Sequence, residues 1–161
     1  MFAPARGIGH NVAQSGDSAG AGAGVGDELR GADDERADLP LVAPGFVDLQ
    51  INGYRGIEYN DPALSIEQVR EVALSQDQFG VTSQLATCTT DGHKVLVHSL
   101  AMIARAISEL PEVAARIPGI HLEGPFISPE DGPRGAHPKQ HVRPPDWDEF
   151  ARLQDAAEGQ I

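Results

Sequence analysis

Cysteine is nearly absent from this chain: Cys88 is the single one in 161 residues. An internal disulfide is therefore excluded, and a reducing compartment such as the cytoplasm is the natural fit. Basic charge is scarce too, with 12 Lys and Arg against 24 Asp and Glu and a formal net charge of −12. That balance argues against nucleic acid and anionic membranes as partners. It leaves room for a local basic pocket that takes a small phosphorylated molecule. No apolar run reaches about 18 residues, so no transmembrane helix is expected. The N-terminus has no basic segment followed by an apolar one, so no secretory signal is expected. A Walker or dinucleotide glycine loop is also missing, since the glycine tract at 20–26 follows no strand and opens no convincing helix.

What is present falls into two parts. Residues 1–38 hold 8 of the 18 glycines, 7 acidic residues and 3 arginines. Their larger apolar residues, Phe2, Ile8, Val12, Val25 and Leu29, are scattered, and the segment reads as a disordered acidic tail or linker. From residue 39 to residue 161 the pattern becomes regular and reads as one α/β domain. Leu41 to Asn52 contains a first strand. Ser65 with Gln68 makes a capping box for a helix whose apolar face is Ile66, Val69, Ala73 and Phe79, ended by Gly80. Val81 to Thr87 reads as a second strand. Asp91 opens a helix with Leu96, Leu100, Ile103, Ile107 and Leu110 at helical spacing. Pro111 and Pro118 bracket its end, and Ile117 to Glu123 reads as a third strand. A loop rich in Pro and Gly, 124–145, leads to a helix capped by Asp146 and Glu149, with Trp147, Phe150, Leu153 and Ala157 facing the core. Three strand–helix units imply a parallel sheet with right-handed crossovers. An eight-unit barrel typically takes about 250 residues, so the pattern fits a small open sheet or the front of a barrel.

Candidate chemistry gathers where the strands end. Glu123 closes Gly119-Ile-His-Leu-Glu-Gly-Pro-Phe126, at the carboxyl end of a strand, where α/β folds assemble their sites. A buried carboxylate is costly unless paired or bound to a cation; the plainer reading is a strand-end Glu that reaches solvent. His121 shares the face of Glu123 by alternation. His-x-Glu also occurs in nucleobase deaminases, but their Pro-Cys-x-x-Cys partner is impossible with one cysteine. Asp48, Gln50 and Asn52 share a face of the first strand. Gln50 and Asn52 are weak metal ligands and suit hydrogen bonding to a metal-bound water or a substrate, or else a polar Asn-Gly turn. In Gly132-Pro-Arg-Gly-Ala-His-Pro138, Arg134 could pair with phosphate and His137 could donate to it or to a sugar hydroxyl, unless the loop is simply exposed. His10, His93, His98 and His141 show no ligand spacing and read as surface residues, and Cys88 as a small buried one.

Four segments carry a resemblance: Pro44-Gly-Phe-Val-Asp-Leu-Gln-Ile-Asn-Gly53, Gly80-Val-Thr-Ser83, His121-Leu-Glu-Gly-Pro-Phe126 and Arg134-Gly-Ala-His137. Together they closely resemble the N-acetylglucosamine-6-phosphate deacetylases of the amidohydrolase superfamily, from about Val42 to Ile161. The resemblance implies the first three βα units of a metal-dependent (β/α)8 TIM barrel, incomplete in this chain, and hydrolysis of the N-acetyl group to acetate and glucosamine 6-phosphate. It implies Glu123 as the carboxylate ligand of a divalent metal, zinc or iron, with Gln50 beside the metal and its water as the catalytic candidate. It implies Ala136 and His137, with Asn52 and Arg134, as substrate contacts. Two histidine ligands and a catalytic aspartate would belong to later strands, so this chain alone is expected to be inactive, as a truncated or misjoined frame would be. A homodimer is the family's usual assembly. A deacetylase of another N-acetylhexosamine 6-phosphate, or a non-catalytic partial barrel, are the alternatives.

Overall fold

The computed structural model describes residues 42–161; the acidic segment 1–38 lies outside them. In chain order the elements are β1 (Phe46–Ile51), β2 (Gly53–Tyr54), β3 (Ile57–Glu58), α1 (Ile66–Ser75), β4 (Val81–Thr89), α2 (His93–Glu109), α3 (Pro111–Ala114), β5 (Ile120–Glu123) and α4 (Trp147–Ala156). Short 3-10 turns lie at Gln76–Phe79 and Lys139–His141. The three predicted strands form one parallel sheet in the order β1-β4-β5. The α/β reading of the sequence holds for these residues.

Pairing register sorts the sheet into two faces. Ala86 pairs with Ile51 and Ile120, and Cys88 with Leu122. Ile51, Ala86, Cys88 and Ile120, with Val69, Val72, Leu96, Leu100, Ile103 and Leu153, belong to the buried cluster, and Leu122 packs against it. Thr87 and Thr89 pair with His121 and Glu123, so the polar set shares the opposite face. Between Asp48 and Ile51 the register of β1 slips against β4, three steps facing two. Such a bulge breaks strict alternation, so Asp48, Gln50 and Asn52 do not share one face by simple periodicity.

Helix ends follow local chemistry. Ser65 and Gln68 form the predicted capping box, and Asp146 Oδ1 accepts the Glu149 N–H at 2.8 Å. Gly80 closes the turn after α1 with φ +78, which favours glycine. The predicted start of α2 shifts by one: Gly92 is the cap, and Asp91 instead accepts the Gly92 N–H. Pro111 opens the short α3 rather than only ending α2, because Pro at the first helical position loses no hydrogen bond.

Other expectations need correcting. Trp147 is 77% exposed and Phe79 53%, so neither joins the core. Trp147 stacks on Phe150 and Phe79 meets the edge of Tyr54. The β2–β3 hairpin was not foreseen. Arg55 (φ +51) and Gly56 (φ +84) form its two-residue turn, both with positive φ as a type I′ turn requires.

Tyr59 is fully buried, and its hydroxyl has no hydrogen-bond partner among the described residues. Burial pushes its ionisation well above the ordinary tyrosine value. An unpaired buried hydroxyl is a net cost. Tyr59→Phe is therefore expected to leave the urea midpoint unchanged or raise it, whereas Leu100→Ala should cost about 2–5 kcal/mol; a clear loss in Tyr59→Phe would mean the hydroxyl has a partner. Acid sensitivity follows from two carboxylates. The Arg143 guanidinium holds Glu149 below the usual carboxylate range, and the Arg116 guanidinium does the same for Asp77. A depressed native value stabilises the fold above the unfolded value and loses that contribution as pH falls through the native one. The midpoint should be flat from neutral pH down to about 5 and then fall below about 4, with a smaller fall in Glu149→Gln.

Candidate functional site

Glu123 ends β5 because the next residue cannot continue the strand. Gly124 has φ +92, and a Cβ there would sit 2.0 Å from Thr90 Oγ1. Thr90 Oγ1 donates to the Glu123 carbonyl at 3.4 Å. The strand end is thus pressed against the residue that follows β4, and the Glu123 side chain projects beyond it, 31% exposed.

Both oxygens of that carboxylate are engaged. Gln50 Nε2 donates to Glu123 Oε2 at 2.7 Å, and His137 Nε2 lies 3.4 Å from Oε1. Since β1 and β5 are not neighbours, the Gln50 bond crosses the end of β4. His121 supports the same crossing: its Nδ1 is 3.2 Å from the Leu49 carbonyl and 3.5 Å from Thr87 Oγ1. A carbonyl only accepts, so Nδ1 donates to it. The bulge in β1 is secured by the Gln50 N–H, which donates to Asp48 Oδ1 at 3.0 Å. Asn60 closes β4: its side-chain amide donates to the Thr89 carbonyl at 3.0 Å and accepts the Thr89 N–H at 2.8 Å.

An open cleft of about 550 Å³ lies over this carboxylate. Asn52, Thr89, Glu123, Arg134, Ala136 and His137 line it. Five of the six residues singled out from the sequence therefore share one cleft, and the sixth, Gln50, is bonded to Glu123. Arg134 is placed differently from the phosphate-facing expectation. Its Nη1 donates to the His137 carbonyl and its Nη2 to Asp131 Oδ1, both at 2.6 Å, so the guanidinium folds its own loop. Its Nε is buried without a partner among the described residues. A second cleft of about 420 Å³ shares the Asn52 and Thr89 wall and runs under the β2–β3 hairpin.

Thr89 and Thr90 escaped the sequence reading. The available signal was a run of threonines at the carboxyl end of a strand. His93, His98 and His141 are not free surface residues as expected. His93 Nδ1 is 3.0 Å from Glu149 Oε1, His98 Nε2 3.0 Å from the Leu64 carbonyl and His141 Nε2 3.7 Å from Asp91 Oδ1. Cys88 is fully buried and burial pushes its thiol up to about 12, which rules it out as a nucleophile. Among the described residues no group of three or more His, Cys, Asp or Glu is placed to hold a metal ion.

Known proteins share this arrangement of chain. The N-acetylglucosamine-6-phosphate deacetylase of Bacillus subtilis (strain 168) is 36% identical over 123 residues, which is 75% of this chain and 30% of that protein. Its Homo sapiens namesake is 39% identical over 129 residues, 78% of this chain and 31% of that protein. Over about three quarters of its length the chain is similar to N-acetylglucosamine-6-phosphate deacetylases. It spans about 30% of the length of these curated relatives. The crystal structure of the N-acetyl-D-glucosamine-6-phosphate deacetylase from Mycobacterium smegmatis superposes with a TM-score of 0.61 at 31% identity, covering 73% of this chain and 31% of that one. An N-acetylgalactosamine-6-phosphate deacetylase from Shewanella sp. (strain ANA-3) is 38% identical over 104 residues, 64% of this chain and 24% of that protein. No protein-family model matches the chain.

Gly124 and Gly132 separate strain from contact at this deacetylase-like strand end. Their φ values are +92 and +94, but nothing lies within 4 Å of a Cβ at Gly132. Gly132→Ala should cost about 1–3 kcal/mol for backbone strain alone. Gly124→Ala should cost clearly more, because Thr90 must move as well. Equal urea midpoints for the two variants would mean that the Thr90 contact is dispensable.

Proposed function

We propose that this chain is part of a metal-dependent deacetylase that hydrolyses the N-acetyl group of N-acetylglucosamine 6-phosphate to acetate and glucosamine 6-phosphate. The convergence of Gln50 and His137 on the Glu123 carboxylate, in one cleft at parallel strand ends, is the observation that carries this reading. The names of the relatives support this substrate. A cytoplasmic location suits a sugar phosphate, and a homodimer is the assembly proposed for the complete enzyme.

In this reading the sheet is the opening of a (β/α)8 barrel. Support comes from β1, an edge strand on which Phe46, Val47 and Leu49 are 65–70% exposed. Apolar side chains on an open edge are a liability unless the sheet continues or is covered. Among the described residues no helix is long and apolar enough to cross a membrane.

Glu123 suits zinc or iron as one carboxylate ligand. Catalytic zinc usually has three protein ligands, and the described residues alone do not make such a centre. The remaining ligands and the general base must come from elsewhere, so residues 42–161 by themselves are proposed to be inactive. What these residues do is bind and orient. The Gln50 amide fixes one oxygen of Glu123 and leaves that carboxylate a single orientation. His137, Asn52 and the Ala136 segment would hold the sugar, with the Arg134 guanidinium bracing the loop.

Two alternatives stay in view. The Shewanella relative favours a galactosamine-type substrate as the second reading. The β1 edge, unpaired on its outer side among the described residues, favours a non-catalytic module that depends on a partner. Acetate release from both sugar phosphates by the protein isolated from its source, with bound metal measured alongside, separates the three. Glu123→Gln is expected to lower metal content and rate together. Gln50→Ala should lower metal affinity or rate about 10- to 100-fold, as loss of an outer-shell partner does. Unchanged metal and rate in Glu123→Gln would remove Glu123 from the centre, and no acetate from either substrate would favour the non-catalytic module.

A further inference from the structure

The loop from Gly124 to Pro145 carries Arg134, Ala136 and His137, yet it has few ties to the rest of the fold. Among the described residues the hydrogen bonds of 127–140 all stay within a few residues along the chain, such as Ile127 to Pro125, Arg134 to Glu130 and Asp131, Gly135 to Gly132, and Arg134 to the His137 carbonyl. The exception is the His137–Glu123 contact at 3.4 Å. Where the tip sits must be decided at the loop's feet.

Both feet meet at Arg143. Its N–H donates to the Pro125 carbonyl at 3.2 Å, which closes the loop on itself. Its Nε donates to Glu149 Oε2 at 2.8 Å and its Nη2 to Oε1 at 2.5 Å, a two-pronged fork. Its Nη1 donates to the Asp91 carbonyl at 3.1 Å and to the His141 carbonyl at 2.6 Å. Glu149 also takes His93 Nδ1 at 3.0 Å, and its own N–H is capped by Asp146. One guanidinium thus joins the loop, the end of β4 and the first turn of α4, and through Glu149 it reaches the first turn of α2. The pair is well covered, with 25% and 12% of the two side chains exposed. A forked, partly buried ion pair is directional and rigid, unlike a surface pair.

We propose that the Arg143–Glu149 fork is a latch that sets the reach of the 124–145 loop, making Arg143 a positioning residue that holds His137 over Glu123. The role of His137 toward a sugar rests on the deacetylase reading; the latch does not. Lysine in place of Arg143 keeps the charge but cannot make the fork.

Hydrogen exchange read by mass spectrometry on the full chain tests this. In Arg143→Lys and Glu149→Gln, peptides covering 127–140 should exchange about 10-fold faster or more, the scale of losing a charged hydrogen bond, while peptides of β4 keep their protection. Arg105→Lys, which alters only an exposed pair with Glu109 on α2, should change neither region. Unchanged loop exchange would overturn the proposal. So would equal acceleration of loop and β4, which is general destabilisation, or a parent chain with β4 unprotected. In the complete enzyme the same variants should raise KM for the sugar phosphate more than they lower kcat. A faster-exchanging loop with an unaltered KM would sink the deacetylase reading of the tip and leave the latch standing.

Discussion

A carboxylate at a strand end with nothing to hold it would swing into solvent, and the architecture here fixes Glu123 in place instead. Its partners come from two distant stretches of chain, Gln50 on the far strand and His137 on the following loop. For Gln50 to reach, the sheet must bring the ends of β1 and β5 together across β4, and the bulge in β1 must aim the amide. For the carboxylate to stand clear of the strand, Gly124 must turn tightly against Thr90. The parallel order, the bulge and the turn therefore serve one contact that no single element could make.

Behind the sheet the demands are of another kind. The apolar face needs only volume and register. Ile51, Ala86, Cys88 and Ile120 meet helices whose apolar spacing is set by the 3.6-residue period. The two faces tolerate change differently: the rear is governed by packing, the front by angles and distances of polar groups. Homology over about three quarters of the chain to the B. subtilis deacetylase spans both.

Legibility in the sequence follows the same division. Three strands, the Ser65–Gln68 box, the Asp146 cap and the α2 stripe were readable because periodicity and caps are local signals. Gln50, Asn52 and Glu123 were readable as polar residues at strand ends, Arg134 and His137 by type in the loop, and Ala136 only through the family resemblance; the six do lie together. The β2–β3 hairpin escaped because its turn puts an arginine, not the usual Asn or Asp, at positive φ. Trp147 was misplaced because a helical stripe does not reveal that its first turn overhangs the core. Arg143 left no trace at all: a loop arginine paired six residues ahead and anchored on Asp91 has no periodic signature, since only the folded chain brings those atoms together.

Arg134 shows what such self-bonding means for a visiting anion. Its seat is already taken by Asp131, a side chain 82% exposed, and by the His137 carbonyl. An incoming phosphate would not fill a vacancy there but evict a tenant, and the displaced carboxylate would re-enter water at the rim. Any anion that reached that arginine would have to replace one already there, so the seat would favour a multidentate, doubly charged group over a single carboxylate.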